Sequence, residues 1–169
     1  MLVYLDANIV QYCADYQDYI FGDSSKTPIG KPRFKKELSA LRRLIEIERL
    51  GDWVFASSPK LVSELYAGRP TICQTKVYDL LQQYYGASGW DEAFLIDAEE
   101  IVRIEGSLKT LLLRSDDRRH LAEAIALNAS WFLTNDAGIV RACKGRDLPI
   151  RVARPSECIE EISLGLFLR

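Results

Sequence analysis

The chain has 169 residues, 48% hydrophobic and 27% charged, an ordinary globular composition with apolar material for one core and one domain. Its 22 basic and 24 acidic residues leave a net charge of −2, which excludes a strongly basic polyanion binder but not a local basic face. Four scattered cysteines (Cys13, Cys73, Cys143, Cys158) and a single histidine, His120, exclude the usual zinc ligand sets and read as reduced thiols of a cytoplasmic protein, while the absence of a basic leader or an apolar run near ~20 residues excludes a signal peptide and a membrane span.

Leu2 to Leu5 read as a short buried strand ending at Asp6, followed by a helix from about Asn8 to Tyr16. Residues 17–32 carry Gly, Ser, Asp, Pro and Lys without periodicity and read as a long surface loop. Phe34, Leu38, Leu41, Leu44, Ile45 and Ile47 recur at helical spacing, so Arg33 to Leu50 is a long amphipathic helix with a basic exposed side. Trp53 to Ala56 form a second strand. Ser58-Pro59 opens a helix, Ser as N-cap and Pro at the first helical position, which ends near Gly68-Arg69-Pro70. A helix over Ile72 to Tyr85 and a strand over Phe94 to Ile96 follow. Asp97 caps a helix to about Arg114, and Ser115-Asp116-Asp117 cap another through Leu127. Trp131 to Thr134 is the next strand, ending at Asn135-Asp136. A short helix to Lys144, a strand over Pro149 to Val152 and a helix from Pro155 complete the chain. Short apolar strands alternating with helices predict an α/β fold: a central, mostly parallel four- to five-stranded sheet with helices on both faces.

Ligands of an open parallel sheet bind beyond the carboxyl ends of its strands. Asp6 and Asp136 stand directly after two strands. Asp117 stands at a helix start and Glu64 one to two turns into another helix, from which both can reach the same point. Crowded carboxylates repel and raise one another's pKa, and protonation or a hard cation relieves them. Oxygen-only ligands suit Mg²⁺ or Mn²⁺, and such ions favour phosphodiester hydrolysis over acyl transfer. Spacing alone leaves an alternative open. Asp6 and Asp136 are equally well placed to cap the helices that follow them, and Glu64 could be a solvated helix residue.

Four local words carry a resemblance. Leu5-Asp6-Ala7-Asn8-Ile9-Val10 resembles the opening motif of the PIN-domain family of VapC-like ribonucleases. Leu61-Val62-Ser63-Glu64-Leu65 resembles its second motif, Asp117-Arg118-Arg119-His120-Leu121-Ala122-Glu123-Ala124 its third, and Trp131-Phe132-Leu133-Thr134-Asn135-Asp136 its fourth. The order matches, as does the short step of 19 residues between the last two acids. No one motif is specific; the four in order are more so, and they span essentially the whole chain. The resemblance implies a single PIN-like domain over residues 1–169, a three-layer α/β/α sandwich. It also implies RNA cleavage dependent on Mg²⁺ or Mn²⁺ held by Asp6, Glu64, Asp117 and Asp136. Asn8 and Asn135 would orient ligands or touch substrate, and His120 would be a packing residue rather than a general base. A neutralising antitoxin protein and a homodimer are the partners that the family suggests. Two departures stand out: the segment over 17–50 is larger than in the shortest members, and Asp116 next to Asp117 makes the third acid ambiguous. The register of His120-Leu121-Ala122 favours Asp117.

Lys26, Lys31, Arg33, Lys35, Lys36, Arg42 and Arg43 form a local basic cluster interleaved with Tyr16, Tyr19, Phe21 and Phe34. Lysine and arginine neutralise phosphates and aromatic rings stack on unpaired bases, so these are candidate RNA contacts. A solvated helix face and a face for a partner chain are the competing readings. Tyr78, Tyr84, Tyr85 and Trp90 read as core or interface. A phosphatase of the haloacid-dehalogenase type also places Asp after strand one, but it requires a second Asp where Asn8 stands. A PIN-like module that binds RNA or protein without cleaving is the remaining alternative.

Overall fold

The computed structural model describes residues 1–22, 28–50, 53–58, 60, 61, 64 and 97–167. The helix expected over 72–85, the strand expected over 94–96, and Lys26, Cys73, Tyr78, Tyr84, Tyr85 and Trp90 lie outside them.

Four strands are described: β1 (Leu2–Leu5), β2 (Val54–Ala56), β3 (Trp131–Leu133) and β4 (Arg151–Ala153). They form one sheet in the order β2-β1-β3-β4, with every pair parallel. β1 and β3 occupy the centre and are buried almost throughout, which is why they read as continuous apolar runs rather than alternating ones. Tyr4 pairs in register with Phe132, and the two rings stack with centroids 5.4 Å apart.

Seven α-helices are described: α1 (Ala7–Asp15), α2 (Gln17–Ile20), α3 (Pro32–Leu50), α4 (Ala98–Ser107), α5 (Ser115–Ala126), α6 (Ala137–Cys143) and α7 (Pro155–Phe167). α3 packs against α7 and α2, whereas α4 packs against α5. Two helix groups on a parallel sheet make an α/β arrangement compatible with a three-layer sandwich. α3 supplies Leu38, Leu41 and Leu44, all fully buried, at the predicted helical spacing. Each contributes roughly 1.5–3 kcal/mol of burial. On the same helix, Glu37 is 6% exposed and accepts the backbone N–H and hydroxyl of Ser156 at 3.0 and 2.9 Å, tying α3 to the start of α7.

Several expected boundaries move. Residues 17–32 are not all loop, because α2 follows α1 almost immediately. The helix after Asp97 ends at Ser107 and continues as one 3-10 turn over Leu108–Thr110 rather than to Arg114. The N-cap of α5 is Arg114, without a side-chain cap. Ser115, Asp116 and Asp117 are its first helical residues instead of its cap. β3 stops at Leu133, and β4 covers Arg151–Ala153 rather than 149–152. Cys13, Cys143 and Cys158 are buried free thiols. No helix among the described residues is long and apolar enough to cross a membrane.

Candidate active site

The strand order reverses direction at β1: the chain passes from β1 to β2 on one side, and β3 lies on the other. In open parallel sheets the crevice beyond such a reversal is the ligand site. Asp6 follows β1 and Asp136 stands three residues beyond the end of β3, so both flank this crevice. An open cleft of about 340 Å³ lies there, lined by Asp6, Glu64, Asp116, Asp117, His120 and Asp136, with Asn8, Gln11 and Tyr12 on its rim. All four predicted acids and Asp116 thus share one cleft.

The loops after β1 and β3 are bound to each other. Asp6 is 6% exposed. Its Oδ1 accepts the Ala7 N–H at 2.8 Å and caps α1. Its Oδ2 accepts the Thr134 hydroxyl at 2.6 Å and the Asn8 amide at 2.5 Å. The Thr134 hydroxyl in turn accepts the Asn8 amide and the Asp136 N–H, both at 3.0 Å. Asn8 Oδ1 accepts the Asn135 N–H at 2.8 Å. Asn8 therefore orients Asp6, whereas both side-chain polar atoms of Asn135 are buried without a partner. Asp136 caps α6 by accepting the N–H groups of Gly138 and Ile139 at 2.6 and 3.3 Å. The capping and cleft roles of Asp6 and Asp136 coexist: each uses oxygens on a helix start and still faces the crevice. A Cβ at Gly138 would stand 2.9 Å from Asp136 Oδ1 and push that oxygen aside.

Electrostatics sort the acids into two kinds. Glu64 Oε2 receives His120 Nε2 at 2.8 Å, and Glu64 Oε1 lies 3.4 Å from Lys60 Nζ. Lys60 Nζ also lies 3.4 Å from Asp116 Oδ1. Glu64 and Asp116 are thus compensated by cationic partners. Asp6, Asp117 and Asp136 form no ion pair among the described residues. Burial pushes the Asp6 carboxyl up, against the Thr134 and Ala7 hydrogen bonds, and the charge of Asp117 adds to the rise. Burial also raises Asp117, and the charge of Asp136 adds to it, against the pull of Arg114 and His120. The charge of Asp117 thus acts on Asp6, and that of Asp136 on Asp117.

His120 packs as expected, at 3% exposure, but it is not merely apolar filling. Beyond its bond to Glu64, its Nδ1 lies 3.5 Å from Glu123 Oε2. Glu123, itself 3% exposed, also accepts Arg119 Nε at 3.1 Å and the Tyr4 hydroxyl at 3.2 Å. The Tyr4 hydroxyl lies 3.0 Å from Ser58 Oγ, which caps the helix bearing Glu64 by accepting the Leu61 N–H at 3.1 Å. A buried polar chain thus runs from the sheet centre to Glu64. Glu123, Lys60 and Thr134 were missed by sequence reasoning. For Glu123 the available signal is an acid on the apolar face of α5, between Ala122 and Ala124.

The donor set suits a hard divalent cation. Three carboxylates without cationic partners among the described residues face one cleft, and two of them have raised pKa values that a cation would lower. Among the described residues no three acidic, histidine or cysteine side chains converge as they stand on one coordination point. The predicted basic residues are divided. Lys31 and Arg33 line a groove that meets the acidic cleft at Tyr12. Lys36 pairs with Glu160 at 2.8 Å, and Arg42 pairs with Glu46 at 3.2 Å and lies over the Tyr19 ring. Arg43 is exposed and Lys35 half-buried on α3. Comparisons with family models, curated proteins and solved structures return no match for this chain.

Proposed function

We propose that this protein is a metal-dependent endoribonuclease of PIN-like fold, hydrolysing RNA phosphodiester bonds with Mg²⁺ or Mn²⁺ held by Asp6, Asp117 and Asp136 and with Glu64 beside them. The observation that carries this reading is the presence, at the reversal point of a parallel sheet, of three carboxylates without cationic partners among the described residues. A bound divalent ion supplies charge neutralisation at the phosphate and lowers the pKa of water. The chain's own residues orient the ligands: Thr134 and Asn8 fix Asp6, the first turn of α6 fixes Asp136, and His120 fixes Glu64. Asp116, paired with Lys60, stands beside this set rather than in it. A dehalogenase-type phosphatase is disfavoured, because position 8 holds an amide that donates to Asp6 instead of a second carboxylic acid.

The test is cleavage of diverse single-stranded RNAs in Mg²⁺, Mn²⁺ or EDTA by the wild type and by Asp6→Asn. The reading requires metal-dependent cleavage and a loss in the variant above the roughly 10–100-fold typical of outer-shell changes. RNA binding without cleavage would point to the non-catalytic PIN-like module. A toxin role with an antitoxin partner, a homodimer and a cytoplasmic location are separate proposals. A neighbouring gene for a small DNA-binding protein, and co-purification of its product with this chain, would test the first.

A further inference from the structure

Beside the acidic cleft lies a second open groove of about 380 Å³, bordered by Tyr12, Lys31, Arg33, Phe34, Glu37 and Asn135. Tyr12 forms a wall of both spaces, and Asn135 precedes the cleft residue Asp136, so the two are neighbours. Lys31 and Arg33 are exposed and form no ion pair among the described residues. Glu37, the one acid of the groove, is buried and already accepts two hydrogen bonds from Ser156. Tyr12 and Phe34 meet edge to face with ring centroids 5.4 Å apart, and Tyr16 braces Phe34 from 5.2 Å. Gly30 backs the Phe34 ring so closely that a Cβ there would overlap it. The amide of Asn135 contributes a buried donor and a buried acceptor, both without partners.

Two cations without ion-pair partners among the described residues, an aromatic wall and an unmatched amide are the complement of one nucleotide. The cations suit a phosphate, the ring faces suit a base, and the Asn135 amide, once turned out of its buried position, can pair with a base edge that offers both an acceptor and a donor. We propose that this groove is a nucleotide subsite for single-stranded RNA, holding the unpaired base and phosphate next to the linkage in the acidic cleft. The inference rests on the nuclease reading for its substrate. A base in a duplex has its edge occupied and its faces stacked, so the groove selects against double-stranded RNA.

The test is fluorescence anisotropy with a short labelled single-stranded RNA and with the same sequence as a duplex, in EDTA. It compares the wild type, Lys31→Ala/Arg33→Ala, Phe34→Ala, Asn135→Ala, and Arg103→Ala/Lys109→Ala as a charge-matched control far along the chain. Circular dichroism confirms that each variant is folded, and cleavage of the same RNA in Mn²⁺ is measured in parallel. Single-strand binding should weaken at least about 10-fold in the Lys31/Arg33 variant. Its salt slope should fall by about 0.7, the value for one phosphate contact on a single strand. Phe34→Ala and Asn135→Ala should each weaken binding about 5-fold, with the control within 2-fold. Unchanged binding in the Lys31/Arg33 variant, equal affinity for duplex, or no binding by the wild type would each overturn the subsite. Cleavage by a wild type whose binding ignores the groove leaves the nuclease reading standing and removes this one. Groove-dependent binding without cleavage does the reverse.

Discussion

Replacing His120 by leucine takes one partner from a buried carboxylate. The imidazole and Glu123 are each 3% exposed, with Nδ1 3.5 Å from Oε2 and Nε2 2.8 Å from Glu64. In the variant, Glu123 keeps Arg119 and Tyr4. The Glu64 side chain, 36% exposed, regains water. Breaking a fully buried pair costs roughly 3–5 kcal/mol, and the partners and solvent that remain reduce this to about 2–3 kcal/mol. At about 2–4 °C per kcal/mol for a chain of this size, Tm should fall by about 5–10 °C in EDTA near pH 6. The deficit depends on pH. Burial alone would lower the His120 pKa, but Glu123 and Glu64 outweigh it and raise it above 6.5. Its contribution is therefore full below 6.5 and is lost as pH rises through the folded value. For Glu123, burial is outweighed by His120 and Arg119, and its pKa is lowered from 4.5. That contribution is full above 4.5 and is lost as pH falls. The charged groups facing the pair are Glu64, Arg119, Asp6 and Asp117. The deficit of His120→Leu should thus be greatest between about pH 4.5 and 6.5 and shrink towards about pH 9. Thermal unfolding followed by circular dichroism measures both. A Tm decrease under about 2 °C, or equal deficits near pH 6 and pH 9, would show that His120 and Glu123 do not form a stabilising pair.

Four further outcomes follow from the site and its frame. Asp117→Asn should stabilise the metal-free protein by a few tenths of a kcal/mol at neutral pH, since its raised pKa means that ionisation opposes folding. That gain should vanish below about pH 4, and the variant should lose the Mn²⁺-induced stabilisation expected of the wild type, about 2.7 kcal/mol at 100-fold over Kd. Gly138→Ala should weaken Mn²⁺ binding, read by calorimetry, because its Cβ displaces Asp136 Oδ1. Gly145 has φ +72° and open space around its missing Cβ, so Gly145→Ala should cost only the left-handed penalty of about 1–2 kcal/mol in urea unfolding. Leu41→Ala, at a fully buried position on α3, should cost roughly 2–5 kcal/mol in the same assay.

The features that sequence reading caught are those encoded locally. β1 and β3 announce themselves as apolar runs because both faces are covered, and each is followed by an acid that the parallel sheet delivers to one crevice. Ser58 caps its helix as expected. The amphipathic spacing of α3 matches its buried leucines. The features that escaped depend on partners far away in the chain. Tyr4 reaches Glu123 across 119 residues, and Lys60 reaches Asp116 across 56. No periodicity records such pairs. The cap of α5 was misplaced for a physical reason: acids in a first turn are favoured by the helix dipole as much as acids at an N-cap, so Asp116 and Asp117 carry the same signal one turn inside. α2 is too short to display a repeat.

The sheet order also has a temporal consequence. Asp6 and Thr134 bond directly although 128 residues separate them, and β1 pairs with β3 at the centre of the sheet. During synthesis at about 5–20 residues per second, β1 waits on the order of 10–20 s for its central neighbour. Contacts of such long sequence separation make for slow folding and leave a buried strand edge open in the interval, where it can pair with another chain. The same delay acts as a safeguard: half of the acidic cleft is missing until β3 has joined β1. A nascent chain therefore carries no assembled site, and whatever the cleft does begins only when the sheet closes.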